Sequence, residues 1–127
     1  MSYLLDTHAF LWYIDGKLNL SEKAREIIQN PDFAKFISIV SLWEIAIKSG
    51  KDKLILTRSF ETLPEFINVN GFNTLPIHVK HLFQLKELPH HHGDPFDRLL
   101  IAQALTEDLT IISADKEFKA YPVRVSW

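Results

Sequence analysis

The chain has no cysteine in its 127 residues. That excludes disulfides, thiolate metal ligands and a thiol nucleophile. No serine elbow is present to supply a nucleophilic hydroxyl. Apolar runs are all too short to span a bilayer. The N-terminus lacks a basic stretch followed by an apolar segment and cleavage site, so no secretory leader is expected and the cytoplasm is the default compartment. A strong basic excess, common among nucleic-acid binders, is also missing, because the formal net charge is −2.

What is present is ordinary for a globular protein: 46% hydrophobic and 24% charged residues. This length suits one domain over 1–127 with its own core. No linker, repeat or low-complexity tract interrupts it.

The pattern alternates. Tyr3 to Leu5 is a short apolar strand ending at Asp6, followed by an apolar helix through Phe10, Leu11 and Trp12. Ser21 to Gln29 reads as a capped helix stopped by Asn30-Pro31. Phe36 to Val40 is β-branched and aromatic, hence a second strand, with Ser41 expected to cap the next helix. A helix through Phe60 and Phe66, a strand over Asn73 to Ile77, and a helix over His78 to Leu85 follow, the last set by Val79, Leu82 and Phe83. Glu87 to Pro95 is a loop, Phe96 to Leu105 the clearest helix, Leu109 to Ile112 a strand, Asp115 to Phe118 a helical turn, and Val123 to Val125 a last strand. Strands alternating with helices predict an α/β fold with a central, mostly parallel sheet flanked by helices on both faces.

Asp6, Glu44, Asp97 and Asp115 are expected where strands give way to helices, on the sheet edge where open α/β folds bind ligands. Carboxylates gathered there repel one another unless a cation lies between them, and Mg²⁺ or Mn²⁺ prefers such oxygen ligands. Each acid also has a local reading. Asp6 and Asp115 suit helix caps, Glu44 has capping-box spacing to Ser41, and Asp97 follows a possible Asp94 cap with Pro95 at the first helical position. Thr7 could hold a water or a second oxygen beside Asp6. Trp12, Trp43 and Phe96 could stack bases, although their helical spacing also suits core or interface packing. Lys48, Lys51, Lys53 and Arg58 form the densest basic stretch, with Arg98 beside the acids; these could contact nucleic-acid phosphates, although a solvated face is the plainer reading of such a run. The His90-His91-His92 run lacks zinc-site spacing and reads as a flexible loop near the site mouth.

Taken together, Leu4-Leu5-Asp6-Thr7-His8, Ser41-Leu42-Trp43-Glu44-Ile45-Ala46, Asp94-Pro95-Phe96-Asp97-Arg98 and Ser113-Ala114-Asp115, in this order, resemble the PIN domain and, within it, VapC-type toxins of toxin–antitoxin pairs. The resemblance covers nearly the whole chain. It implies a PIN-like (Rossmann-like) three-layer fold and a metal-dependent endoribonuclease. The family's acids fall on Asp6, Glu44, Asp97 and Asp115, its hydroxyl residue on Thr7, with Asp94 an additional acid in a supporting role. It further implies Mg²⁺ or Mn²⁺ as cofactor, RNA as substrate, a homodimer and a small antitoxin partner, for which the helices Ser21 to Gln29 and Phe60 to Asn68 could supply an apolar groove. Two alternatives stand beside it. One is a non-catalytic PIN-like RNA-binding module. The other is a different Mg-dependent phosphohydrolase, against which the haloacid-dehalogenase pattern counts because its second Asp would stand where this chain has His8.

Overall fold

The computed structural model describes all residues, 1–127. Its centre is a five-stranded sheet. The strands are β1 (Ser2–Leu5), β2 (Ala34–Ser38), β3 (Asn73–Leu75), β4 (Thr110–Ile112) and β5 (Val125–Ser126). Their order is β3-β2-β1-β4-β5 and every pairing is parallel. Six α-helices join and cover them: α1 (Thr7–Asp15), α2 (Glu22–Gln29), α3 (Ile39–Gly50), α4 (Leu63–Val69), α5 (Val79–Glu87) and α6 (Pro95–Glu107). Short 3-10 turns occupy Phe60–Thr62 and Lys116–Ala120. No helix is long and apolar enough to cross a membrane.

The three layers follow from strand alternation. Successive side chains point to opposite faces of a strand. Leu5 and Ile112 therefore join Phe10, Ala24, Ile28 and Ile67 in one core, while Leu4 and Ile111 join Leu99, Leu100 and Phe118 in the other. Leu4, Leu5, Ile111 and Ile112 are completely buried. Burying each contributes about 1.5–3 kcal/mol relative to exposure. A sheet buried on both faces reads as a continuous apolar run, as these strands do.

The order also places the site. The chain builds outward from β1 to β2 and β3, then returns past β1 to lay down β4 and β5. The reversal falls between β1 and β4, where open α/β sheets bind ligands at the strand ends. Leu5 pairs with Ile112 in register, and the Asp6 N–H donates to the Ile112 carbonyl at 3.1 Å. Asp6 and the segment after β4 are thus held side by side.

Three sequence expectations are corrected. The second strand ends at Ser38, whose hydroxyl accepts the Val40 N–H at 3.0 Å and caps α3. Ile39 and Val40 look like strand residues, but that cap turns them into helix; Ser41 is inside α3 and forms no capping box with Glu44. The helix bearing Asp97 follows a helix and a loop, not a strand. On α5 the spacing does give a helix, yet Val79 and Phe83 are 63% and 68% exposed while His81 is fully buried. The His81 ring takes the inward place because both nitrogens find partners: Nδ1 accepts the His78 N–H at 2.9 Å and Nε2 faces the Glu107 carboxylate at 2.7 Å. That contact, with help from Lys80, holds the Glu107 carboxyl below its usual range.

Candidate metal centre

Asp6 closes β1 and opens α1. Its Oδ1 accepts the Ala9 N–H at 2.8 Å, so it is a helix cap. It is also buried, and burial outweighs its hydrogen bonds to Ser113 and Ala9 to raise its pKa. Asp115 caps the turn after β4 in the same way, its Oδ1 accepting the Glu117 N–H at 2.9 Å. Asp94 caps α6 through the Asp97 N–H at 2.9 Å. The capping role and the site role do not compete in Asp115. One oxygen holds the helix end, while Oδ2 lies 3.4 Å from His92 Nε2.

Asp97 sits in the first turn of α6, over the same edge. Burial, followed by the neighbouring Asp94 and Asp6 carboxylates, pushes its pKa up to about 7. Glu44 and His92 also act on it, the first raising and the second lowering. Asp115 acts on Asp6 in turn. The four acids expected from sequence therefore share one field, joined by Asp94.

Glu44 is buried in the second turn of α3. Its Oε1 accepts the Thr7 hydroxyl at 2.6 Å, and its Oε2 is paired with Lys48 one turn on. The Lys48 pKa is raised, chiefly by that bond. The Thr7 hydroxyl, expected to hold a water or a second oxygen beside Asp6, is instead bonded to Glu44.

His92 is the residue that sequence reasoning missed. It is 8% exposed, and its Nε2 has no hydrogen-bond partner. That nitrogen lies 3.0 Å from Asp97 Oδ2, 3.4 Å from Asp115 Oδ2 and 3.2 Å from Glu117 Oε2. His92, Asp115 and Glu117 each bring a ligand atom within 4.8 Å of the others, a set able to hold a divalent ion. Asp6, Glu44 and Asp97 are not part of that tight set; they adjoin it. The buried Asp6 and the half-buried Asp97, both of raised pKa, adjoin Asp115 and Glu117, and a cation would offset their mutual repulsion, so the donor set fits a divalent metal, with His92 a ligand only when its Nε2 carries no proton.

Nothing in the local sequence separates His92 from His90 and His91. The loop is held from a distance by the Tyr121 hydroxyl, which accepts the His91 and His92 N–H groups at 3.0 and 2.9 Å, and the His92 ring alone is fixed by accepting the Asp94 N–H on Nδ1 at 3.2 Å. Arg98, expected as a phosphate contact, is buried and bonded instead to the Pro89 carbonyl at 2.8 Å and the Tyr121 hydroxyl at 3.2 Å. Its guanidinium braces the histidine loop and is not free for RNA. Arg58 lies over the Phe66 ring at 4.5 Å, away from the acids, and Lys51 and Lys53 are exposed.

Residues 3–123 match the PIN domain family. The chain belongs to that family. No curated protein matches it significantly. Among solved structures, this PIN domain is similar to a chain of the VapBC2 complex of Rickettsia felis bound to a promoter DNA fragment, with TM-score 0.75 and 21% identity over 100% of this chain and 99% of that one. It is similar to a chain of DNA-bound VapBC from Salmonella typhimurium, at 0.70 and 20% over 99% and 97%. A toxin–antitoxin complex from Klebsiella pneumoniae gives 0.66 and 17% over 98% and 96%. At these identities the likeness establishes the fold: the central parallel sheet and flanking helices expected from sequence are those of the PIN domain.

Proposed function

We propose that this PIN domain is a metal-dependent endoribonuclease, the toxin of a toxin–antitoxin pair, working in the cytoplasm with Mg²⁺ or Mn²⁺. The observation that carries the reading is the convergence of Asp97 and Asp115 on one point, 3.0 and 3.4 Å from His92 Nε2, with Asp115 and the buried Asp6 lining one hollow and burial raising the pKa of both Asp6 and Asp97. Carboxylates so perturbed mark functional sites. In a PIN domain with the His92, Asp115 and Glu117 set beside them, metal-assisted phosphodiester hydrolysis is the chemistry they suit best.

Asp6, Asp97 and Asp115 would hold the ion, with Glu44 bound directly or through water. When bound, a divalent ion acidifies a coordinated water and offsets charge on the phosphate oxygens. The chain's own residues supply the positioning. Thr7 and Lys48 orient the Glu44 carboxylate from both sides, and Asp94 fixes the first turn of α6 beneath Asp97. Ser113 steadies Asp6. No side-chain nucleophile is required.

The antitoxin and the homodimer are part of the same proposal. The toxin–antitoxin complexes of similar fold support the first. The apolar side chains that α3 and α5 expose, Trp43, Val79, Leu82 and Phe83, support the second.

Asp6→Asn tests the catalytic reading. The variant is expected to fold, melting no lower than the parent in EDTA because burial disfavours the Asp6 charge, and to lose RNA cleavage in Mg²⁺ and Mn²⁺. A folded Asp6→Asn protein that cleaves RNA at the parent rate would overturn the assignment.

A further inference from the structure

Two cavities meet at Asp115. The first, about 280 Å³, is lined by Asp6, His8, Trp12, Ala114 and Asp115. The second, about 340 Å³, shares Ala114 and Asp115 and continues past Trp127 to Lys23, Lys116 and Lys119. The Trp12 and Trp127 rings, centroids 5.7 Å apart, join the two hollows. The exposed His8 ring also neighbours Trp12, centroids 5.8 Å apart. The three rings, tilted by 41° and 59° between neighbours, thus form a stepped aromatic shelf along the two hollows, with Asp6 and Asp115 lining the first and Lys23, Lys116 and Lys119 the second.

We infer that this shelf is the path of single-stranded RNA, which deepens the endoribonuclease reading and rests on it. A base next to the reacting phosphate stacks on Trp12 and His8, and a following phosphate is met by Lys23, Lys116 and Lys119. Unpaired bases are recognised by stacking on aromatic or histidine rings, and the strand is tracked by positive side chains. The rival route, along the basic run after α3, fits less well. Lys48 is engaged with Glu44 and Arg58 with Phe66. Neither Lys51 nor Lys53 lines a cavity that holds the acids.

The path also accounts for an acidic protein reaching an anionic substrate. Lys23 comes from α2, whereas Lys116 and Lys119 come from the turn after β4. They are too dispersed in sequence to register as a basic run, yet the fold places them around one hollow.

The test is fluorescence anisotropy of a labelled oligouridine decamer on the full chain carrying Asp6→Asn, which prevents cleavage during the measurement. Trp12→Ala is expected to weaken binding roughly 5- to 150-fold, the range for loss of one base stack. Trp12→Phe should restore most of it, and His8→Ala, at an exposed position, should weaken it without affecting the fold. The Lys23→Ala, Lys116→Ala, Lys119→Ala triple variant should weaken binding and flatten the salt dependence of log K by ~2, since each contact to a single strand contributes ~0.7. Lys51→Ala with Lys53→Ala should weaken it less than the triple variant does. Unchanged affinity in both His8→Ala and the lysine triple, or a larger loss from the Lys51 and Lys53 pair, overturns the path while leaving the nuclease reading intact. No binding of the oligonucleotide by the parent at any salt concentration overturns both.

Discussion

Thr7 donates a 2.6 Å hydrogen bond to Glu44, joining the start of α1 to α3 across 37 residues of sequence. The Ser41 hydroxyl lies 3.0 Å from the same Thr7 oxygen. A hydroxyl carries one proton. Thr7 directs its proton to the shorter contact, and Ser41 becomes the donor to Thr7. All three residues are buried. Thr7→Val keeps the shape and removes the proton, leaving a buried carboxylate with one partner fewer. The expected loss is about 1–3 kcal/mol of stability and about 10- to 100-fold in metal affinity, as for other residues that orient a ligand. Thr7→Ser should retain most of both. Thermal melting and calorimetric Mn²⁺ titration measure them, and Mn²⁺ binding by Thr7→Val at the parent affinity would remove Glu44 from the centre.

Asp97 should make the metal-free protein less stable as pH rises. Its folded pKa of about 7 lies above its ordinary value of 3.8. The folded state therefore holds a proton that the unfolded state releases. The contribution to stability is complete below about 3.8 and disappears as pH climbs to about 7. Asp6 shifts in the same direction. Asp97→Asn carries no such proton, so in EDTA it should melt above the parent by an amount that grows between pH 4.5 and 7.5, reaching ~3 °C or more. Mn²⁺ should reverse the ranking at pH 7.5, because only the parent gains from the ion. A constant difference across that range would show that Asp97 is not the titrating group.

Sequence carried the layers and most of the acids because those rest on local signals. Leu4-Leu5 and Ile111-Ile112 are apolar without alternation, as strands buried on both faces must be. Asp6, Asp94 and Asp115 stand out as helix caps, and Asp6 and Asp115 follow β1 and β4 on the strand-end edge. What stayed hidden depends on distant partners. His92 lies in a loop whose backbone Tyr121 holds at both His91 and His92, and its ring is fixed by the Asp94 N–H. Arg98 is drawn from the surface by carbonyls at Leu88 and Pro89. The α3 boundary was misplaced because β-branched Ile39 and Val40 resemble strand, while the deciding signal was the Ser38 hydroxyl.

The α5 stripe leads to a further expectation. Val79, Leu82 and Phe83 face solvent on one helix, and on α3 the exposed Trp43 ring meets Phe96 edge-on at 4.8 Å. Apolar side chains grouped on a surface mark contact sites. If α5 mediates the homodimer, Phe83→Asp with Leu82→Lys should convert a dimer of the parent to monomer in light scattering, with the melting curve retained. A parent dimer that survives both changes places the interface elsewhere.

His92 sets the final prediction through its two nitrogens. Nδ1 accepts the Asp94 N–H at 3.2 Å. A neutral ring that accepts at Nδ1 carries its proton on Nε2. That proton points among the Asp97, Asp115 and Glu117 carboxylates, 3.0–3.4 Å away, without satisfying any single one. In this form the ring reduces the repulsion among the carboxylates, which is also what a divalent ion would do. His92→Ala should therefore destabilise the protein in EDTA by about 1–3 kcal/mol, and saturating Mn²⁺ should close much of that gap. With the proton on Nδ1 instead, the Nε2 lone pair joins Asp115 and Glu117 as a metal ligand. The gap would then widen in Mn²⁺, because the variant would bind the ion less well. Paired melting curves with and without Mn²⁺ distinguish the two, and a widened gap would identify His92 as a ligand and exclude the donor role.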